Sequence, residues 1–183
     1  MKGVNYDYQR KIQNNRTEAG ASRRAALHGD SKPGNHARIG NGAAATHWGS
    51  ICWLERKGVA PAGAPFWRYL IIDMEAKLEI DVAVPVATAM TGDGRIIADV
   101  LPAGRYAVLV HTGPYDDLIE VTAVLLAWAE EKGLVWDKWS TGPRGEGWRA
   151  RIETYFTDPT EEPDPAKWET ELAFKLADDQ PRI

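Results

Sequence analysis

The stretch Trp53-Leu54-Glu55-Arg56-Lys57-Gly58-Val59 returns later in the chain as Trp128-Ala129-Glu130-Glu131-Lys132-Gly133-Leu134. The recurrence is not isolated. Trp67-Arg68 returns as Trp148-Arg149, each opening an apolar run that ends in Asp73 or Asp158. Glu79-Ile80-Asp81-Val82-Ala83-Val84-Pro85-Val86 returns as Glu169-Thr170-Glu171-Leu172-Ala173-Phe174-Lys175-Leu176. Both times the order is helix end, strand, strand. Two copies of one unit imply a pseudo-twofold domain with a seam, and seams are where ligands tend to sit.

The second copy reads as complete. Gly104 to His111 is a strand and Thr112-Gly113-Pro114 a turn, with Pro114 suited to the first helical position. Asp116 and Asp117 then fall in the first turn, where the helix dipole favours them. Leu118, Val121, Leu125 and Trp128 share one helical face, and Gly133 ends the helix. Val135 to Gly147 reads as a loop holding Trp136 and Trp139. In the next strand Ala150, Ile152 and Phe156 form one face and Arg151, Glu153 and Tyr155 the other. A Pro- and acid-rich loop, Thr157 to Lys167, leads to a last strand, Trp168 to Leu176.

In the first copy Ile51 to Arg56 is a helix end stopped at Gly58, and Phe66 to Asp73 is a strand. Leu78 to Val86 alternates strictly, with Leu78, Ile80, Val82, Val84 and Val86 on one face. A turn at Gly92-Asp93-Gly94 precedes a short strand near Ile96–Val100. The expected fold class is α+β: a duplicated strand–helix–strand–strand unit, an antiparallel sheet and two helices on one face. Trp53 and Trp128 are 128 − 53 = 75 residues apart. Counting back by that offset from Arg105–His111 lands on Asp30-Ser31-Lys32-Pro33-Gly34-Asn35-His36, whose Pro and Gly argue against a strand. The first copy is therefore expected to lack its opening strand and most of its helix.

Length and charge narrow the class. A chain of 183 residues fits one domain, and 44% hydrophobic content supplies a core. No apolar run approaches the ~20 residues of a membrane span, and the N-terminus lacks a signal-peptide stretch. With one cysteine, Cys52, there is no internal disulfide, which fits a reducing compartment; the expectation is a cytoplasmic protein with no membrane partner. Cys52 sits in the apolar run Ile51-Cys52-Trp53-Leu54 and reads as a core residue. The net charge of −4 conceals an asymmetry: residues 1–58 hold 10 Lys/Arg and 4 Asp/Glu, the remainder 12 and 22, so +6 and −10. The acidic body argues against direct nucleic-acid binding and favours cationic or neutral ligands. Residues 1–49 read as an atypical basic segment, either a disordered tail or coding sequence read in a shifted frame, and residues 50–179 as the domain. No DNA-binding segment is recognised ahead of it, so a stand-alone domain is expected.

The strand faces turned away from the helices gather Trp67, Tyr69, Glu79, Asp81, Glu153, Tyr155, Glu169 and Glu171. Carboxylates alone would suit a solvated sheet face. Aromatic rings interleaved with them suit a cleft for a flat apolar ligand, with the carboxylates pairing a positive or hydrogen-bonding group and the rings adding cation–π attraction. A carboxylate among rings is also what a general acid or base requires, and spacing does not separate the two uses. His111 reads as a structural histidine. His28, His36 and His47 show no metal spacing, so neither metal nor cofactor is expected. No Gly-x-Ser-x-Gly, Walker or helix-turn-helix pattern occurs.

Ala103-Gly104-Arg105-Tyr106-Ala107-Val108-Leu109-Val110-His111-Thr112-Gly113-Pro114-Tyr115-Asp116-Asp117-Leu118 resembles the signature of GyrI-like small-molecule-binding domains. Ala64-Pro65-Phe66-Trp67-Arg68-Tyr69, the Val84-Pro85-Val86 strand end, Glu153-Thr154-Tyr155, Asp158-Pro159 and Glu169-Thr170-Glu171-Leu172 are similar to the same family, over roughly residues 51–176. The resemblance implies a central cleft for hydrophobic, often cationic or planar compounds, with a glutamate on the last strand, here Glu171. It also implies three kinds of activity: effector binding in multidrug-sensing regulators, inhibition of gyrase through protein contact, and hydrolysis of cyclopropane-bearing alkylating compounds. The expected function is binding of aromatic, cationic small molecules by sensing or sequestration. The alternatives are a hydrolase using Glu171 and Tyr155, or a protein-interaction module. Expected ligand-binding residues are Glu171, Tyr155, Trp67, Tyr69, Tyr106, Trp139, Trp148 and Asp81, with Asp81 facing Glu171 and Trp67 facing Trp148 across the seam.

Overall fold

The computed structural model describes residues 26–31, 35–39, 47–73, 77–93, 96–143 and 145–179. Nine strands and two helices follow one another along them: β1 (Ala26–Ser31), β2 (Asn35–Ile39), α1 (His47–Arg56), β3 (Phe66–Asp73), β4 (Lys77–Pro85), β5 (Ile96–Val100), β6 (Gly104–Thr112), α2 (Leu118–Glu131), β7 (Lys138–Ser140), β8 (Glu146–Tyr155) and β9 (Glu169–Lys175). The strands form one sheet in the order β1-β6-β9-β8-β3-β4-β2-β5, with β7 added beside β8, and every pairing is antiparallel. The α+β class and antiparallel sheet read from the sequence hold.

Both copies of the repeated heptad close their helices in the same way. Gly58 and Gly133 adopt left-handed backbone, with φ of 67° and 65°. The amide of Val59 then donates to Leu54 O at 3.0 Å and that of Leu134 to Ala129 O at 2.8 Å, the long closing bond of a glycine-terminated helix. The chain reverses at each glycine and re-enters the sheet. Under α1, Trp53 and Leu54 are buried against Val84, Val86 and Ile96. Under α2, Leu118, Val121 and Leu125 are buried with Leu109, Leu172 and Phe174. Burying each such side chain is worth roughly 1.5–3 kcal/mol.

The opening strand expected to be missing is present. Ala37 of β2 pairs with Val84 as Ala107 of β6 pairs with Phe174. Val84 and Phe174 are repeat counterparts, 90 residues apart, so Ala37 and Ala107 are counterparts 107 − 37 = 70 residues apart. The offset of 75 fails upstream of the helix: four of the five residues of difference arise because α1 has 10 residues and α2 has 14, and the fifth lies between strand and helix. Residues 32–34, which hold Pro33, lie outside the described residues, as do residues 1–25.

Three further readings change. Cys52 is exposed, on the outer side of α1. The loop expected from Val135 to Gly147 contains β7, which pairs with β8. Trp67 and Trp148 are not structural counterparts: between Tyr69↔Arg151 and Ile71↔Gly147, β3 advances two residues while β8 advances four. That irregularity turns Trp148 into the core under α2, 1% exposed and stacked near Phe174 and Trp136, while Trp67 stays at the sheet centre.

Nothing lies within 4 Å of a Cβ built on Gly58 or Gly133, so only backbone conformation opposes a side chain there. Gly58→Ala and Gly133→Ala are each expected to destabilise by about 1–2 kcal/mol, with Asn at either site recovering part of the loss, as measured by denaturant unfolding. Equal stability of the alanine variants and the parent would contradict the shared closure.

Candidate functional site

Cross-strand pairing lays three rows of side chains across the sheet face that carries the helices. One runs Ala107, Phe174, Arg151, Tyr69, Ile80; the next Leu109, Leu172, Glu153, Trp67, Val82; the third His111, Thr170, Tyr155. The first two rows end on aliphatic side chains, of which Ala107 and Leu109 are packed under α2. The middles, on β8 and β3, are charged or aromatic. Helices pack over β4 and β2 on one side and over β6 on the other, so the central strands form the floor of a cleft between them.

Glu153 is the centre of that floor, and only 6% exposed. The Tyr69 hydroxyl donates to its Oε2 at 2.9 Å and the Tyr155 hydroxyl donates to the same oxygen at 2.8 Å. Both donors therefore end on one oxygen, which leaves Oε1 for another group. Trp67, 38% exposed, meets Tyr155 edge to face at 5.6 Å. Tyr155 in turn meets Tyr115 at 5.2 Å, and Tyr115 lies 4.5 Å from Trp168. The outer two rings are pinned through their polar ends: the Tyr115 hydroxyl donates to Thr157 O at 3.2 Å and the Trp168 indole N–H to Glu162 O at 2.7 Å. Burial pushes the Tyr155 and Tyr69 hydroxyls well above the ordinary tyrosine range, and the neighbouring negative charge of Glu153 pushes them further.

Of the residues expected in the site, Trp67, Tyr69 and Tyr155 come together here. Glu171 does not. It pairs with Val110 and Thr154 on the opposite face of the sheet, where Asp81 also lies, cross-strand from Arg68 and fully buried. Tyr106 is on that face too, packed with Phe66, Ala150 and Ile152, its hydroxyl donating to Pro102 O at 2.7 Å. Trp148 is core. Trp139 is exposed on the β7–β8 hairpin, where it lines a separate cavity of about 370 Å³ with Lys138, Pro143 and Glu146 and shares no lining residue with the cleft. The sequence reading placed the aliphatic side of every strand beneath the helices. That rule holds for β4 and β9 but inverts for β8, whose Ala150 and Ile152 pack on the far face, and for β3, whose Phe66 packs there while Trp67 and Tyr69 face the helices. The placing of Glu153 and Arg151 on the helix-carrying face was not foreseen for that reason, and Tyr115 and Trp168, which lie outside β8, were not foreseen either. His111 is buried, its Nε2 3.5 Å from Asp117. Among the described residues no group of His, Cys, Asp or Glu has a metal-holding arrangement, and no helix is long and apolar enough to cross a membrane.

The sequence profile of the GyrI-like small molecule binding domain matches residues 32–177. No curated protein matches the chain. Among solved structures it is similar to the C-terminal domain of EcmrR, with 21% identity and a TM-score of 0.59 over 83% of this chain and 96% of that one. It is similar also to a hydrolase from Listeria innocua, with 13% identity and a TM-score of 0.56 over 91% and 98%. SAV2435 bound to tetraphenylphosphonium shares 11% identity and a TM-score of 0.50 over 83% and 93%. At these identities the likeness is one of fold.

Folding raises the hydroxyls of Tyr69 and Tyr155 above the unfolded value of about 10 and takes Tyr106 to about 12, by burial. The stability they contribute is whole below pH about 10 and is lost as pH rises through their folded values. In a tyrosinate absorbance titration the folded protein is expected to leave at least these three of its six tyrosines silent at pH about 11. Glu153→Gln should bring Tyr69 and Tyr155 down. Joint ionisation of all six near the unfolded value would contradict the buried triad.

Proposed function

The chain belongs to the family of GyrI-like small-molecule-binding domains, and we propose that it binds hydrophobic, aromatic, positively charged compounds in the cleft over Glu153. The observation that carries this is the carboxylate itself. Both tyrosine hydroxyls converge on Oε2, so Oε1 is free to take a ligand's positive or hydrogen-donating group. Burial strengthens that pairing relative to water. Trp67 and Tyr155 offer ring faces and edges beside it, which suits a flat, delocalised cation. The tetraphenylphosphonium bound by SAV2435 is likewise a hydrophobic aromatic cation, though not a flat one. Sensing and sequestration both need only this binding step.

Hydrolysis of a reactive small molecule is the second reading, and it draws on the same carboxylate. A base among rings, with one oxygen open, is placed to deprotonate water beside a bound electrophile. Mass spectrometry after incubation with a cyclopropane-bearing alkylator separates the two: turnover abolished by Glu153→Gln supports the hydrolase, and recovery of the intact compound supports binding alone.

The binding reading is tested by fluorescence titration with the ethyl ester of rhodamine B, a planar cation without an acid group, which should also quench Trp67. Glu153→Gln is expected to weaken binding by about 2 kcal/mol or more, about thirtyfold in Kd. Glu171→Gln, on the opposite face, should leave Kd unchanged. The reverse pattern would return the site to Glu171.

A further inference from the structure

Arg151 is a second charged group on the cleft floor, two residues from Glu153 on β8 and on the same face, about 7 Å along the strand. It lies cross-strand from Tyr69 and Phe174. Its guanidinium carbon is 5.6 Å from the centre of the Tyr69 ring, 5.3 Å from that of Trp148 and 4.8 Å from that of Phe174. Three rings thus attract the cation, but rings supply no hydrogen-bond acceptor. Nε is buried and has no partner, and among the described residues Arg151 forms neither a hydrogen bond nor an ion pair. A guanidinium carries five N–H donors in a planar fork. Leaving them unanswered in a partly desolvated site costs free energy that an acceptor would restore. Burial accordingly lowers the Arg151 pKa, an effect that Glu153, Tyr69 and Glu146 partly offset.

A purely structural arginine would be expected to end on a backbone carbonyl or a carboxylate, as Arg68 does on Arg149 O and Asp99. Arg151 ends on ring surfaces, two residues along β8 from Glu153 and on the same face. We propose that Arg151 sets the ligand class of the cleft: aromatic compounds that carry an anionic oxygen group, carboxylate, sulfonate or phosphoryl, about one ring-width from their positive or hydrogen-donating centre. Such a dipolar ligand places its cation on Glu153 and its oxygens on the guanidinium fork, so the buried carboxylate and the half-buried guanidinium each gain a partner in one binding event. A cation lacking the acid group satisfies Glu153 and leaves Arg151 unanswered. The inference rests on the cleft reading above and adds selectivity to it.

Rhodamine B and its ethyl ester differ only in that acid group and form the test pair. The parent protein is expected to bind the free acid about tenfold or more tightly than the ester. Arg151→Met should erase the preference by weakening the acid, with the ester unchanged or tighter. The methionine variant is expected to fold, since replacing an unpartnered buried charge by an apolar side chain of similar length is often neutral or stabilising. Arg151→Lys, which keeps the charge without the fork, should retain part of the preference and decides the matter if the methionine variant does not fold. Equal affinity of the parent for acid and ester, or equal weakening of both by Arg151→Met, would overturn the proposal while leaving the cleft reading intact. Failure of both dyes to bind the parent would overturn both.

Discussion

The carboxylate of Glu153 is the constraint around which the rest of the molecule is arranged. A charge only 6% exposed at the middle of a sheet is costly unless it is paired or hydrogen-bonded. Tyr69 from β3 and Tyr155 from β8 answer half of it, both on Oε2. The hydroxyls come from two paired strands, so the bonds also fix the register of β3 against β8 at the point where the two halves meet. The helices contact the outer strands β4, β2 and β6 rather than covering this centre. A cleft between α1 and α2 is the arrangement that keeps Oε1 open to water or to a ligand.

The two-copy plan supplies the frame for this exception. Each copy packs its helix over its own outer strands, and each helix ends on a glycine whose reversal returns the chain to the sheet. The two cores are therefore separate, and the seam falls on β3 and β8. On the far face the same strands bury Phe66, Ala150 and Ile152 with Tyr106 and Ala83. The central strands are covered there, which frees their helix-side face to carry polar and aromatic groups without loss of the fold.

Sequence carried the architecture further than the site. The Trp53–Val59 and Trp128–Leu134 repeat was enough to find both helix ends, because a glycine in left-handed backbone is a local requirement written in one residue. The opening strand of the first copy was misjudged because position had to be carried across helices of unequal length. The face of the sheet that Glu153 and Tyr155 occupy was misjudged for a different reason. Alternation along β8 separates Arg151, Glu153 and Tyr155 from Ala150 and Ile152 correctly, but it does not say which set faces the helices. That depends on β8 being central, on the far face having its own core, and on the irregularity near Trp148, all of them properties of strand neighbours rather than of spacing. Trp67-Arg68 and Trp148-Arg149 show the same limit: identical dipeptides, one at the open centre and one buried beneath α2.

The most direct measurement is a crystal structure of the protein with rhodamine B bound. The account predicts the xanthylium ring against Trp67 and Tyr155, its positive end at Glu153 Oε1, between the two helices. Density for the dye on the opposite sheet face beside Glu171, or confined to the β7–β8 hairpin at Trp139, would contradict it.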